Sequence, residues 1–233
     1  MRHLFRWILS VSMVLGLAGV LTAQEAPPKR TLIVGDSIMR ALSHSVQLGI
    51  EKIPGVESKA FSSLGSGLAR LDVFDWMQKI RDLTAEFPPD SAIVLMGAND
   101  RQPILAQKET LQPNQPAWEA EYTRRVGEFM DLLAAGGVKK LYWIELPDMR
   151  EAVAQENALV IRRLQRAAAE TRPFVRLLPS DTVLSRKPGV YSAYVVKPGS
   201  MPLMVRDPDG IHLNRPGADL LAEHILSTVW PRP

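Results

Sequence analysis

Residues 31–39, Thr-Leu-Ile-Val-Gly-Asp-Ser-Ile-Met, constrain the fold more than any other stretch. Leu32, Ile33 and Val34 form an apolar run with no polar alternation, which reads as a strand buried on both faces. The run stops at Gly35. Behind it Ile38, Leu42, Val46 and Gly49 recur at helical spacing. Ser37 therefore falls where a strand turns into a helix N-terminus. Free N–H groups and the positive end of the helix dipole favour negative charge there. Asp and Ser are also preferred helix caps, so this stretch alone fits an ordinary turn as well as a reactive hydroxyl.

The rest of the chain repeats the theme. Further strands are expected at 56–61, 91–96, 140–146 and 174–178, with helical stripes between them. One stripe carries Val73, Trp76, Met77 and Ile80; another carries Tyr122, Val126, Phe129, Met130 and Leu133. A third helix is expected over 151–171. The last has the clearest stripe: Ala218, Leu221, Ala222, Ile225, Leu226 and Val229. Apolar strands alternating with helices predict an α/β domain whose five-stranded, mostly parallel sheet is covered on both faces. Residues 101–116, with three prolines, read as a long surface loop. Residues 180–206 read as a hairpin or lid inserted before the last helix.

The N-terminus stands apart. Arg2 and Arg6 precede an apolar stretch at 8–21, the pattern of a secretory signal over residues 1–23. A polar linker at 24–30 then leads into a single domain at 31–233. The expected location is the periplasm or outside the cell, with membrane contact only through an uncleaved signal. Without Arg2 and Arg6, 26 of the 28 Lys and Arg face 25 Asp and Glu, so the formal charge falls from +3 to +1. That is no electrostatic footprint for nucleic acid. The chain has no cysteine, which excludes a thiol nucleophile, a disulfide scaffold and a cysteine zinc site. No metal or other cofactor is expected.

In a parallel sheet, ligands gather at the carboxyl ends of the strands. Four segments follow strands there: Ser37, the small-residue loop around Gly65 and Gly67, Asn99, and the run Asp209-Gly-Ile-His212. Of the four histidines, His3 lies in the signal, His44 two turns along the first helix and His224 on the last helix. Only His212 lies in a loop at the active edge, and Asp209, three residues earlier, is close enough to hold one ring nitrogen. Taken singly, Asn99 could be a cap and the Asp209–His212 pair a surface turn. Asp36, Asp100 and Asp148 share this edge and are expected to orient loops; Arg70, Arg101, Trp76 and Trp118 are candidates for lining a cleft, Trp76 more readily for the core.

Gly35-Asp36-Ser37, the glycine loop, Gly97-x-Asn99-Asp100 and Asp209-x-x-His212, in that order, resemble the four blocks of the SGNH (GDSL-type) hydrolase superfamily. Ile38 stands where leucine is usual, a conservative departure. Longer strings, among them Ser66-Gly67-Leu68-Ala69-Arg70 and Gly97-Ala98-Asn99-Asp100-Arg101-Gln102, resemble an exported bacterial branch of unassigned function. The resemblance implies a three-layer α/β/α flavodoxin-like fold and metal-free acyl-ester chemistry. It makes Ser37 the nucleophile, His212 the base and Asp209 its partner. Ser37, Gly67 (with Gly65 second) and Asn99 become the oxyanion donors. By their place at the same edge, and not through the resemblance, Asp36, Arg70, Asp100 and Arg101 are candidate substrate contacts. The resemblance brings no substrate; small acyl esters, above all acetyl groups on a cell-envelope glycan, are expected from the compartment and from family habit, with an acyltransferase or a glycan-binding module as the other readings.

Overall fold

A computed structural model describes residues 28–106, 109–196 and 199–231. The expected signal and most of the linker lie outside the described residues.

The chain begins its fold with β1 (Arg30–Gly35), then α1 (Ser37–Ile50), β2 (Glu57–Ser62), α2 (Trp76–Glu86) and β3 (Ser91–Leu95). A small hairpin, β4 (Ile104–Ala106) and β5 (Glu109–Leu111), precedes α3 (Pro116–Ala135). Then come β6 (Lys140–Ile144), α4 (Ala152–Ala169), β7 (Val175–Leu178) and the short α5 (Asp181–Leu184). A second hairpin, β8 (Tyr194–Val195) with β9 (Leu203–Met204), leads to α6 (Arg215–Val229).

The main sheet has five parallel strands in the order β2-β1-β3-β6-β7. Leu32, Ile33, Val34, Ile93, Val94, Leu141 and Trp143 are all fully buried. These central strands bury both faces, which is why they show no alternation. On one face α1 packs against α6; on the other α2 packs against α3, and α3 against α4. The result is the expected three-layer α/β/α architecture.

The strand order explains where a site can form. The chain leaves β1 for β2 on one side and returns to β3 on the other. The loops after β1 and β3 therefore part in opposite directions and leave a crevice at their carboxyl ends. Ser37 follows β1, and Asn99 follows β3.

Two regions differ from expectation. The segment 101–116 is not a plain loop: Ile104 pairs with Leu111 across the β4–β5 hairpin, and both side chains are buried. Two well-placed apolar residues are enough to fold a stretch that its prolines and glutamines mark as surface. Within 180–206, read as a hairpin or lid, the ladder is only two residues long: Tyr194 and Val195 pair with Met204 and Leu203.

Candidate active site

Ser37 is the first residue of α1, and helix geometry leaves its N–H without an intrahelical partner. The cap is Asp36, which is fully buried. Its Oδ1 accepts from Ile38 N–H at 2.9 Å, and its Oδ2 accepts from Gly97 N–H at 3.0 Å and Ala98 N–H at 3.2 Å. One carboxylate thus ties the helix that begins at Ser37 to the loop that carries Asn99. Asp36 is a brace between loops, with no surface left to offer a substrate.

Burial pushes the Asp36 carboxyl up to about 6, against the three N–H groups that favour its anion. A raised carboxyl contributes stability that is fully present below 3.8 and lost as pH rises through about 6. Asp36→Asn keeps an oxygen for Ile38 but sets an amide NH2 against Gly97 and Ala98. We expect a loss of about 1–3 kcal/mol, read as a lower melting temperature. An unchanged melt would show that the two loops do not depend on this brace.

Across the edge, His212 Nε2 lies 2.8 Å from Ser37 Oγ although the two residues are 175 apart in sequence. His212 Nδ1 lies 2.6 Å from Asp209 Oδ2. The carboxylate assigns the ring proton to Nδ1 and leaves Nε2 to accept from the serine hydroxyl. Asp209 Oδ1 accepts from the N–H groups of Ile211 at 2.8 Å and His212 at 3.0 Å. Desolvation opposes ionisation of Asp209, but the His212 ring and these two N–H groups outweigh it and hold the carboxyl down at about 2. The acid therefore stays charged through any ordinary working pH, and the contribution of this group to stability is fully present above 3.8 and lost as pH falls from there through about 2.

In the loop after β3, the Asn99 side chain donates Nδ2–H to Ser66 O at 3.1 Å, which leaves its other amide hydrogen for a ligand. Ser66 immediately precedes Gly67, so the two candidate donors are tied together. A Cβ at Gly67 would lie 1.9 Å from Asp100 Oδ1, so only glycine fits there. Gly65 has φ 64° and open space around it, and needs glycine for its backbone conformation alone. Asp100 is fully buried, accepting from Ala69 N–H at 2.9 Å and Tyr122 O–H at 2.7 Å. Burial raises its carboxyl. Asn99→Ala is expected to lower kcat by about 10²–10³ with a smaller effect on KM; steady-state kinetics at equal kcat would return Asn99 to a purely structural role.

The remaining candidates separate cleanly. Arg70 forms a two-pronged pair with Asp72, with Nη2 to Oδ2 at 2.8 Å. Arg101 donates to Asn157 Oδ1 at 3.3 Å and to Pro113 O, and lies 5.4 Å from the Trp118 ring. Trp76 and Trp118 are both fully buried, so neither lines a cleft. Asp148 is fully buried too, accepting from Arg162 at 2.9 Å and Gln155 at 3.0 Å.

Sequence reasoning missed three braces. Arg125 donates to Leu68 O at 3.1 Å and Ala69 O at 3.0 Å, gripping the loop that carries Gly67. Arg150 and Arg206 do the same for the turn that carries Asp209 and His212. An arginine on a helix or beside a strand reads as solvated surface, and no local pattern marks these three as buried or bound to carbonyls.

The fold is that of the SGNH (GDSL-type) hydrolase superfamily. Solved structures that resemble the chain include a member of the lipolytic protein G-D-S-L family from Veillonella parvula DSM 2008, at 14% identity and a TM-score of 0.60, covering 88% of this chain and 100% of that one. A GDSL-like lipase from Bacteroides thetaiotaomicron VPI-5482 matches at 12% identity and a TM-score of 0.56, covering 86% of this chain and 87% of that one. The lipase Lip_vut3 from goat rumen metagenome matches at 12% identity and a TM-score of 0.55, covering 88% and 99%. At such identities the likeness establishes the fold. Comparison with curated proteins finds no match. Residues 30–228 match the family described as "Protein of unknown function (DUF459)", and the chain belongs to that family.

Proposed function

We propose that the protein is an exported serine esterase that removes small acyl groups, O-acetyl above all, from a cell-envelope carbohydrate. The observation that carries the ester chemistry is the unbroken line from Ser37 Oγ through His212 to Asp209, with contacts of 2.8 and 2.6 Å. Ser37 attacks the acyl carbonyl while His212 Nε2 takes its proton. His212 then gives that proton to the departing alcohol. Water, deprotonated in turn by His212, releases the acid from the acyl-enzyme. The oxyanion is received by the N–H groups of Ser37 and Gly67 and by the Asn99 amide. Export is supported by the basic and apolar N-terminal pattern around Arg2, Arg6 and residues 8–21. The carbohydrate is supported by that compartment and by the family resemblance.

The test is hydrolysis of p-nitrophenyl acetate by the chain beside Ser37→Ala, with and without a glycan acceptor. Ser37-dependent release that ignores the acceptor is the expected result. Release stimulated by acceptor, with acetylated glycan appearing, would make the protein an acyltransferase using the same residues. No Ser37-dependent release, together with no fluorophosphonate adduct at Ser37, would leave a glycan-binding module.

A further inference from the structure

The turn that carries the acid and the base is gripped from below by two arginines, and they do different things. All four carbonyls from Pro208 to Ile211 accept guanidinium N–H groups. Arg150 reaches Pro208 O at 2.6 Å and Asp209 O at 3.2 Å. Arg206 Nη2 reaches Gly210 O at 3.3 Å and Ile211 O at 2.8 Å, while its Nη1 holds Asp148 O at 2.8 Å.

The peptide units involved matter. The carbonyl of Gly210 and the N–H of Ile211 belong to one peptide, and the carbonyl of Ile211 and the N–H of His212 to the next. Those two N–H groups are the ones that donate to Asp209 Oδ1, at 2.8 and 3.0 Å. Two peptide units therefore connect the Arg206 guanidinium to the Asp209 carboxylate, with the cation at their oxygen ends and the anion at their hydrogen ends. Hydrogen bonds in such a chain polarise one another in a low-dielectric setting. Arg206 is 1% exposed and, among the described residues, makes no ion pair of its own. The Tyr191 ring covers it at 5.1 Å. The Asp209–Gly210 peptide, whose carbonyl Arg150 holds, carries no such link: Gly210 N–H turns to Asp207 O at 3.0 Å, away from the carboxylate.

We propose that Arg206 is a positioning residue for the Ser37–His212–Asp209 chemistry, acting on Asp209 through the Gly210–Ile211 and Ile211–His212 peptides and so setting both the aim and the basicity of His212. The proposal rests on the triad assignment above. Arg206 strengthens the N–H groups that stabilise the Asp209 anion, which leaves less of that anion's charge to stabilise a protonated His212. Its own positive charge works in the same direction. Removing it makes His212 easier to protonate.

The other charged and titratable groups around the turn are Asp207 within it, Ser37 from α1, and Tyr191 from the hairpin side. The loop and helix after β6 add Asp148 with its partner Arg162, and the Arg150–Glu151 pair. Substitution at 206 leaves these residues in place but removes the cation beneath the Tyr191 ring and the donor to Asp148 O.

The experiment follows the His212 ring resonance against pH by NMR in the full chain, in Arg206→Met, Arg206→Lys and Arg150→Met, with His212→Gln identifying the signal. Esterase kinetics are measured in parallel. Arg206→Met is expected to move the His212 titration to higher pH, to move the acid limb of kcat/KM with it, and to lower kcat on the order of 10–100-fold. Arg206→Lys keeps the charge but replaces the fork with a point donor; it should restore the titration while kcat stays below the parent. Arg150→Met should leave the titration where it was.

A folded Arg206→Met with an unmoved titration, or an equal shift in Arg150→Met, would overturn the proposal. Should Arg206→Met fail to fold, Arg206→Gln removes the charge with a donor kept, and the same two outcomes apply. The NMR arm needs no substrate. Titrations that shift as expected in a protein that hydrolyses no ester would therefore sink the esterase reading and leave this one standing.

Discussion

Ser37→Ala is expected to lower ester turnover by about 10⁵–10⁶-fold, the loss seen when a serine hydrolase is stripped of its nucleophile. The fold should not notice. Ser37 is half-buried at the crevice, and the hydrogen bond its hydroxyl makes is the one to His212 at 2.8 Å. Its role at the start of α1 is carried by the backbone, and the cap is Asp36. Paired measurements of p-nitrophenyl acetate hydrolysis and thermal melting decide the matter. Retention of more than about 1% of the parent rate, far above what the oxyanion donors alone sustain, would mean that another residue attacks.

The second large effect separates two acids that the sequence sets at the same edge. Asp209→Asn is expected to cost about 10⁴ in kcat with little change in stability. The Asp209 side chain is 45% exposed. An asparagine there can still accept from Ile211 and His212 N–H, but its NH2 would face His212 Nδ1. The ring would then turn to the tautomer with its proton on Nε2, which cannot accept from Ser37. Asp148→Asn should do the reverse. It leaves the Arg162 guanidinium, 7% exposed and 2.9 Å away, without its anion. Breaking such a pair costs about 3–5 kcal/mol, a drop in melting temperature of roughly 10 °C for a domain of this size. Activity measured well below the melt should survive. A larger loss of kcat from Asp148→Asn than from Asp209→Asn would mean that the catalytic acid has been misassigned.

These contrasts show which parts of the site are legible without coordinates. Asp209 and His212 lie three residues apart, so a single turn brings them together wherever the turn sits. Ser37 is marked by the change from an apolar run to a helical stripe, a local signal. Asn99 is marked by its place after a strand. The braces are different. Asp36, Asp100 and Asp148 look alike in sequence, and each is an acid in a loop near a strand end. What distinguishes them from Asp209 is that all three are fully buried and hold groups from other parts of the chain. Arg125 and Arg206 are harder still, because an arginine whose partners are carbonyls of distant loops leaves no spacing to read.

The sequence by itself determined the alternation of strands and helices, the apolar character of the central strands, and the inventory of groups able to do acyl chemistry. Those follow from periodicity and from residue type, which act over a few residues at a time. Only the tertiary structure decided that the strand order reverses at β1, so that Ser37 and His212 meet across 175 residues. It also decided which carboxylates are sealed away as braces and which one remains beside the imidazole. Burial and charge environment are sums over neighbours contributed by the whole chain, and no stretch of it carries that sum alone.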